Sequence, residues 1–217
     1  GKVVEFPMGV PEEAFVAGRA NPYPEPLHNR PVLLWGGGIW SWFDVPTLLR
    51  AMKRLTENGS NAALYFLGGS GLRGVEVLDR PIREAVALSD DLDLLGKSVF
   101  FSDDPVDIAN IPAYLEHCAA GVMANPASFE AMTSWRTRFL DLLWAGKPLV
   151  SAGVDPLGLR MRESGAARIV AAGDDKAFAE AIGQLLSDRS SRARMEEASL
   201  ALGRTMAWSR IASPFLD

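Results

Sequence analysis

The stretch PVLLWGGGIWSWFDVPTLLRAMKRLTENG, residues 31–59, decides the fold. It opens on an apolar run, 31–36, of the kind that forms a strand covered on both faces. Gly36, Gly37 and Gly38 follow as a turn. Asp44 then stands as an N-cap, and Leu48, Met52 and Leu55 recur at helical spacing, with Arg50, Lys53, Arg54 and Glu57 on the other side. Asn58-Gly59 is a helix stop. Strand, glycine turn and capped helix in that order make one βα unit.

The same alternation runs outward from this unit. Further strands are expected at 61–67, 97–101, 120–124, 148–152 and 167–171. Helices are expected at 81–90, with Pro81 in its first turn, and at 107–118, 135–145, 157–164, 175–187 and 189–203. Such a chain predicts an α/β fold, a Rossmann-like parallel sheet of about six strands with helices on both faces. Residues 19–30, rich in proline, read as a surface connection into the domain.

Composition narrows the function classes. The 217 residues are 48% hydrophobic and 23% charged, an ordinary globular balance with an adequate core. A net charge of −5 without a basic run argues against nucleic acid. Cys118 is the only cysteine, which excludes an internal disulfide and a cysteine-built zinc site and fits a reducing cytoplasm. No apolar run approaches the roughly 20 residues of a membrane span.

In an open parallel sheet ligands bind beyond the carboxyl ends of the strands, so the loops there come first. Gly37 and Gly38 let backbone approach a phosphate or a sugar closely, and they equally suit a tight βα connection. The dinucleotide fingerprint is not met, because Ser41 holds the third glycine position and the helix begins too late. Residues 130–150, EAMTSWRTRFLDLLWAGKPLV, carry the most chemistry. On a single helix, Ser134, Arg138, Asp141 and Ala145 would share one face, with Ser134 as its cap and Thr133 beside it. The free amides at that end, with Arg136 and Arg138 in the same turn, suit an anion such as a diphosphate. An internal Arg138–Asp141 pair serving structure alone is the competing reading. Asp103-Asp104 reads as a turn rather than a metal site, and His117 as a core or surface histidine.

Two blocks here resemble a known family. Leu140–Val150 is similar to the segment of retaining GT-B glycosyltransferases that ends Glu-Ala-Met-Ala-x-Gly-x-Pro-Val, with Asp141 in place of the second of their two glutamates. Trp35–Asp44, Glu130 and Arg136–Pro148 resemble a bacterial branch of the group 1 glycosyl transferase family. Val3–Pro11 is similar to the linker between the two domains of these enzymes. Three departures stand out. Ten residues separate Glu130 from Asp141 where the family has seven. Gly37 and Trp42 stand where many relatives have a basic pair. Gly69–Arg73 replaces a His-Pro-Asn.

The resemblance implies a C-terminal half of a GT-B enzyme. Residues 1–30 would be a linker segment from a missing N-terminal domain and 31–217 the nucleotide-sugar-binding domain. Glu130 would lie near the transferred sugar as the catalytic residue. Gly37, Gly38, Thr133, Ser134, Arg136 and Arg138 would surround the diphosphate, and Asp141 would take the ribose hydroxyls. No metal or cofactor is expected. The substrate would be a nucleoside-diphosphate sugar, a UDP-sugar first, and the acceptor a glycan or glycolipid in bacterial polysaccharide assembly. Such an acceptor leaves room for peripheral membrane association of the full-length protein. A nucleotide-binding or interaction domain without catalysis is the alternative.

Overall fold

A computed structural model describes residues 8–68, 76–102 and 106–213, with 76–79 through their backbone alone. The first strand, β1 (Val32–Gly36), leads through the glycine turn into α1 (Val45–Glu57), whose N-cap Asp44 accepts from the Thr47 amide. Then come β2 (Ala63–Leu67), α2 (Glu76–Asp91), β3 (Val99–Phe101) and α3 (Ile111–His117). The second half runs β4 (Ala120–Ala124), α4 (Phe129–Thr133), α5 (Arg138–Trp144), β5 (Leu149–Ala152), α6 (Pro156–Glu163) and β6 (Ala167–Val170). It ends on α7 (Asp175–Ser187), α8 (Arg189–Thr205) and α9 (Trp208–Ala212).

All six strands are parallel, in the order β3-β2-β1-β4-β5-β6, with helices on both faces. β2 and β4 are buried along their whole length, as continuous apolar runs between two helical layers should be. The chain moves outward from β1 through β2 to β3, then crosses back to β4 on the other side of β1. That reversal leaves a crevice beyond the carboxyl ends of β1 and β4. Among the described residues, the segment before β1 adds Val10, Tyr23 and Leu27 to the core. Val10 also pairs with the α8–α9 junction, its amide donating to the Met206 carbonyl. Cys118 is buried, its thiol donating to the Leu115 carbonyl and pushed up to about 11 by burial.

Three expected helices differ. The one expected over 107–118 opens as a 3-10 turn, Ile108–Asn110, and is α-helical only from Ile111. α2 begins at Glu76, so Pro81 lies inside it rather than in its first turn. The helix expected over 135–145 starts only at Arg138, and an unforeseen short helix, α4, precedes it. Ser134 is therefore the C-cap of α4, in extended backbone, and caps nothing at α5; α4 is capped at its start by Ser128, which accepts from the Ala131 amide. The cause is visible in the side chains. Glu130 and Arg136 form a two-pronged ion pair, and six residues apart on one continuous helix they would point about 120° from one another. Breaking the helix between them lets them meet. The opening Val3–Pro7, the turn Gly69–Arg73, Asp103-Asp104 and the last four residues lie outside the described residues.

The turn after β5 is set by Gly153, at φ +75°, where a Cβ would sit 2.2 Å from the Asn125 carbonyl oxygen. Both the backbone angle and the rigid neighbour exclude a side chain. Gly153→Ala should cost about 2–4 kcal/mol and lower the Tm by several degrees in a thermal melt. A melt unchanged within a degree would show that this turn relaxes freely.

Candidate functional site

A cavity of about 330 Å³ occupies the crevice at the strand ends. Its glycine wall is Gly36, Gly37, Gly38 and Gly68, from the loops after β1 and β2, and its floor includes Val122 and Met123 of β4. Arg138, Phe139, Asp141 and Leu142 of α5 face it, and Ile82, Val106, Ile111 and Leu115 close the far side. The interior is thus apolar, with one cation and one carboxylate converging in it. Gly37 is held at φ +125°, its amide donating to the Leu67 carbonyl at 2.9 Å, and a Cβ there would touch the Arg138 guanidinium at 3.4 Å. The backbone angle, rather than lack of space, is what calls for glycine here.

Arg138 is the unusual group. Its guanidinium stacks over Phe43 at 4.9 Å and near Trp35 at 5.7 Å, and among the described residues its hydrogen bonds reach only the Gly38 carbonyl, at 3.4 and 3.5 Å. Among the described residues no ion pair joins it to a carboxylate, so the direct Arg138–Asp141 pair does not form. Burial, with Arg136 nearby, pulls the guanidinium down to about 10, against the attraction of Asp141. Asp141 is pushed up by burial, opposed by Arg138. A half-buried cation without a close anion carries a desolvation cost that an anion beside it would offset.

A second cluster lies beside the first. Arg136, only 7% exposed, donates from Nη1 to Glu130 Oε1 at 2.8 Å and from Nη2 to Oε2 at 2.7 Å. Ser134 Oγ donates to Glu130 Oε1 at 2.6 Å. These donors, Arg136 foremost, hold the Glu130 carboxyl below the usual range, so it is ionised at neutral pH. Arg136 also stacks over Phe43, at 5.0 Å, on the ring that Arg138 shares. The structure thus gathers Gly37, Gly38, Arg138 and Asp141 around the cavity. It gathers Glu130, Ser134 and Arg136 in the clasp, and Thr133 is exposed with its hydroxyl on the Phe129 and Glu130 carbonyls.

Sequence reading missed Phe43 as the platform for both arginines, and it missed Asp155. That carboxylate is fully buried, caps α6 through the Gly158 amide and accepts from Asn125 Nδ2 at 3.4 Å. The signal was present, since Asp155-Pro156 is a cap followed by a first-turn proline. His117, half-buried, contacts the Arg19 carbonyl through Nε2 at 2.8 Å, and among the described residues no cluster could hold a metal ion. Nor is any described helix long and apolar enough to cross a membrane.

Comparison with known proteins agrees with this architecture. The family described as Glycosyl transferases group 1 matches residues 30–188, and the chain belongs to it. A D-inositol 3-phosphate glycosyltransferase of Xylanimonas cellulosilytica is 26% identical over 189 residues, 87% of this chain and 42% of that protein. Sucrose-phosphate synthase from Thermosynechococcus elongatus superposes with a TM-score of 0.73 at 19% identity, over 97% of this chain and 50% of its own. Anabaena HepE in complex with UDP-glucose superposes at 0.70 and 16%, over 88% of this chain and 49% of its own. This chain therefore spans about half the length of these relatives. The C-terminal domain of a group 1 glycosyl transferase from Francisella tularensis matches over 91% of this chain and 97% of that domain, at a TM-score of 0.69 and 14% identity.

Asp155 supplies a test of the site's electrostatics. Burial pushes its carboxyl up to about 6, against the bonds from Gly158 and Asn125 and the charge of Arg136. The unfolded chain releases that proton near 4. Between the two values the native state holds the extra proton, so stability from this group is full below about 4 and falls as pH rises through 6. Asp155→Asn keeps a capping acceptor. It should match the parent near pH 4 and exceed it by about 2–3 kcal/mol at pH 7.5 in urea denaturation. A difference that stays constant with pH would mean that Asp155 titrates in the folded chain as it does in the unfolded one.

Proposed function

We propose that this chain is the donor-binding half of a glycosyltransferase that moves a sugar from a nucleoside-diphosphate sugar to a glycan or glycolipid acceptor. The observation that carries the proposal is Arg138, a half-buried guanidinium at the wall of an apolar cavity, with no carboxylate bound to it among the described residues. A nucleoside diphosphate has the complementary parts. Its base suits the apolar interior, its ribose diol suits the two oxygens of Asp141, and its diphosphate suits Arg138 beside the close backbone of Gly37 and Gly38. Family membership agrees, and the UDP-glucose in the HepE complex makes a UDP-sugar the first candidate. No metal or redox cofactor enters this reading. As a diphosphate leaves a sugar it gains charge, and a fixed cation in a dry site stabilises that charge without reorganising.

Glu130 is the catalytic candidate nearest this site, and its ionised state suits stabilisation of positive charge on the sugar rather than proton donation. Its close engagement by Arg136 and Ser134 also favours the second reading, a nucleotide-binding domain without catalysis. Turnover separates the two.

Asp141→Ala should weaken UDP binding ten- to a hundredfold by calorimetry while the melting curve holds, since a charge-assisted hydrogen bond is worth about 1.5–3 kcal/mol. Unchanged affinity would assign Asp141 to structure alone. Catalysis needs both reactants held in an attack geometry, and this chain matches half of its longer relatives. The chain on its own should therefore bind donor yet transfer no sugar from a radiolabelled UDP-sugar, where a longer protein containing it does. Equal turnover by the two would place the acceptor site within these residues.

A further inference from the structure

The loop between the glycine turn and α1 ends in an aromatic stack whose inner ring lines the cavity and whose outer ring does not. Trp40 lies flat on Gly38, where a Cβ would be 3.4 Å from three of its indole atoms, and forms part of the cavity wall. Trp42 stacks on Trp40 with centroids 5.3 Å apart and planes 10° from parallel. Trp42 itself does not line the cavity and is 44% exposed. Its inner flank is fixed by Phe43, 6.1 Å away, whose ring carries the Arg138 guanidinium. A rigid, layered indole thus stands one ring beyond the cationic group of the site, with much of its surface in solvent.

From this placement we infer that Trp42 is the stacking platform for a pyranose ring, the sugar of the donor. The inference rests on the donor reading above. In a nucleoside-diphosphate sugar the diphosphate separates base from sugar. A base in the apolar cavity and a diphosphate at Arg138 therefore put the sugar outside, toward the rim where Trp42 stands. One face of a pyranose presents only C–H groups, apolar and slightly positive, which match the electron-rich face of an indole. Aromatic surface of this kind adds affinity at little entropic cost when it is already held in place, as the Gly38–Trp40–Trp42 layering holds it. Trp42 would then set which sugars are accepted, because an axial hydroxyl on the stacking face would lift the ring off the indole.

Saturation-transfer NMR with UDP-glucose tests this on the chain and on its Trp42→Ala and Trp42→Phe variants, with UDP titrated beside it. In the parent, saturation should reach both the uracil and the glucose-ring protons. Trp42→Ala should lose the glucose signal, keep the uracil signal and UDP affinity, and bind UDP-glucose about tenfold more weakly. Trp42→Phe, which retains an aromatic face, should keep most of the glucose signal. Three results overturn the inference while leaving the donor reading intact: a parent in which only the uracil is saturated, a Trp42→Ala variant that behaves as the parent, or an equal loss of UDP and UDP-glucose. Absence of any saturation in the parent defeats the donor reading itself, and the platform with it.

Discussion

Two guanidinium groups flank the single buried ring of Phe43, and the site is organised around how differently they are neutralised. Arg136 has a two-pronged carboxylate partner in Glu130 and the charge of Asp155 nearby. Arg138 has an aromatic box, a distant carbonyl and the field of Asp141, and nothing closer among the described residues. Phe43 belongs to the loop after β1 and both arginines to the segment after β4, so this contact joins the two sides of the crevice. The first arginine has its counter-charge built in. The second has none bound among the described residues, and that asymmetry is the feature on which the proposed anion site rests.

The sheet explains why the asymmetry can persist. A parallel strand buried on both faces needs a helix over each side, and the reversal of order at β1 and β4 leaves one place where neither layer closes over the strand ends. There the chain supplies glycines. At Gly37 the backbone takes a left-handed angle, with the Arg138 guanidinium beside it. The arginine therefore needs no surface position to reach a ligand. It is half-buried and lines the cavity.

All six strands were legible, each to within two residues, because runs such as NAALYFL and AGVMA are apolar beyond what a helix of that length between turn residues would be. The face shared by Arg138 and Asp141 was legible too, and both line the cavity. What failed was the join between α4 and α5. Periodicity over 135–145 is compatible with one helix, and its later start at Arg138 goes with Arg136 turning back to Glu130, a side-chain choice that spacing does not encode. Phe43 escaped notice for a related reason. Its role is to sit between two cations that are distant in sequence, and an aromatic residue before a helix cap has no local mark of that use. The family likeness carried Glu130 and Asp141 to their positions, but the clasp on Glu130 became visible only in three dimensions.

Cys118 closes β4's approach to the sheet with a thiol that is shielded and slow to ionise. A thiol reagent attacks the thiolate, which here is scarce and has no path to solvent while the core is closed. The chain therefore carries an internal clock. Labelling of its one sulfhydryl would be timed by the opening of the α3–β4 connection in which it is buried. Nucleotide seated between β1 and β4 would slow that clock in proportion to how firmly it holds that connection closed.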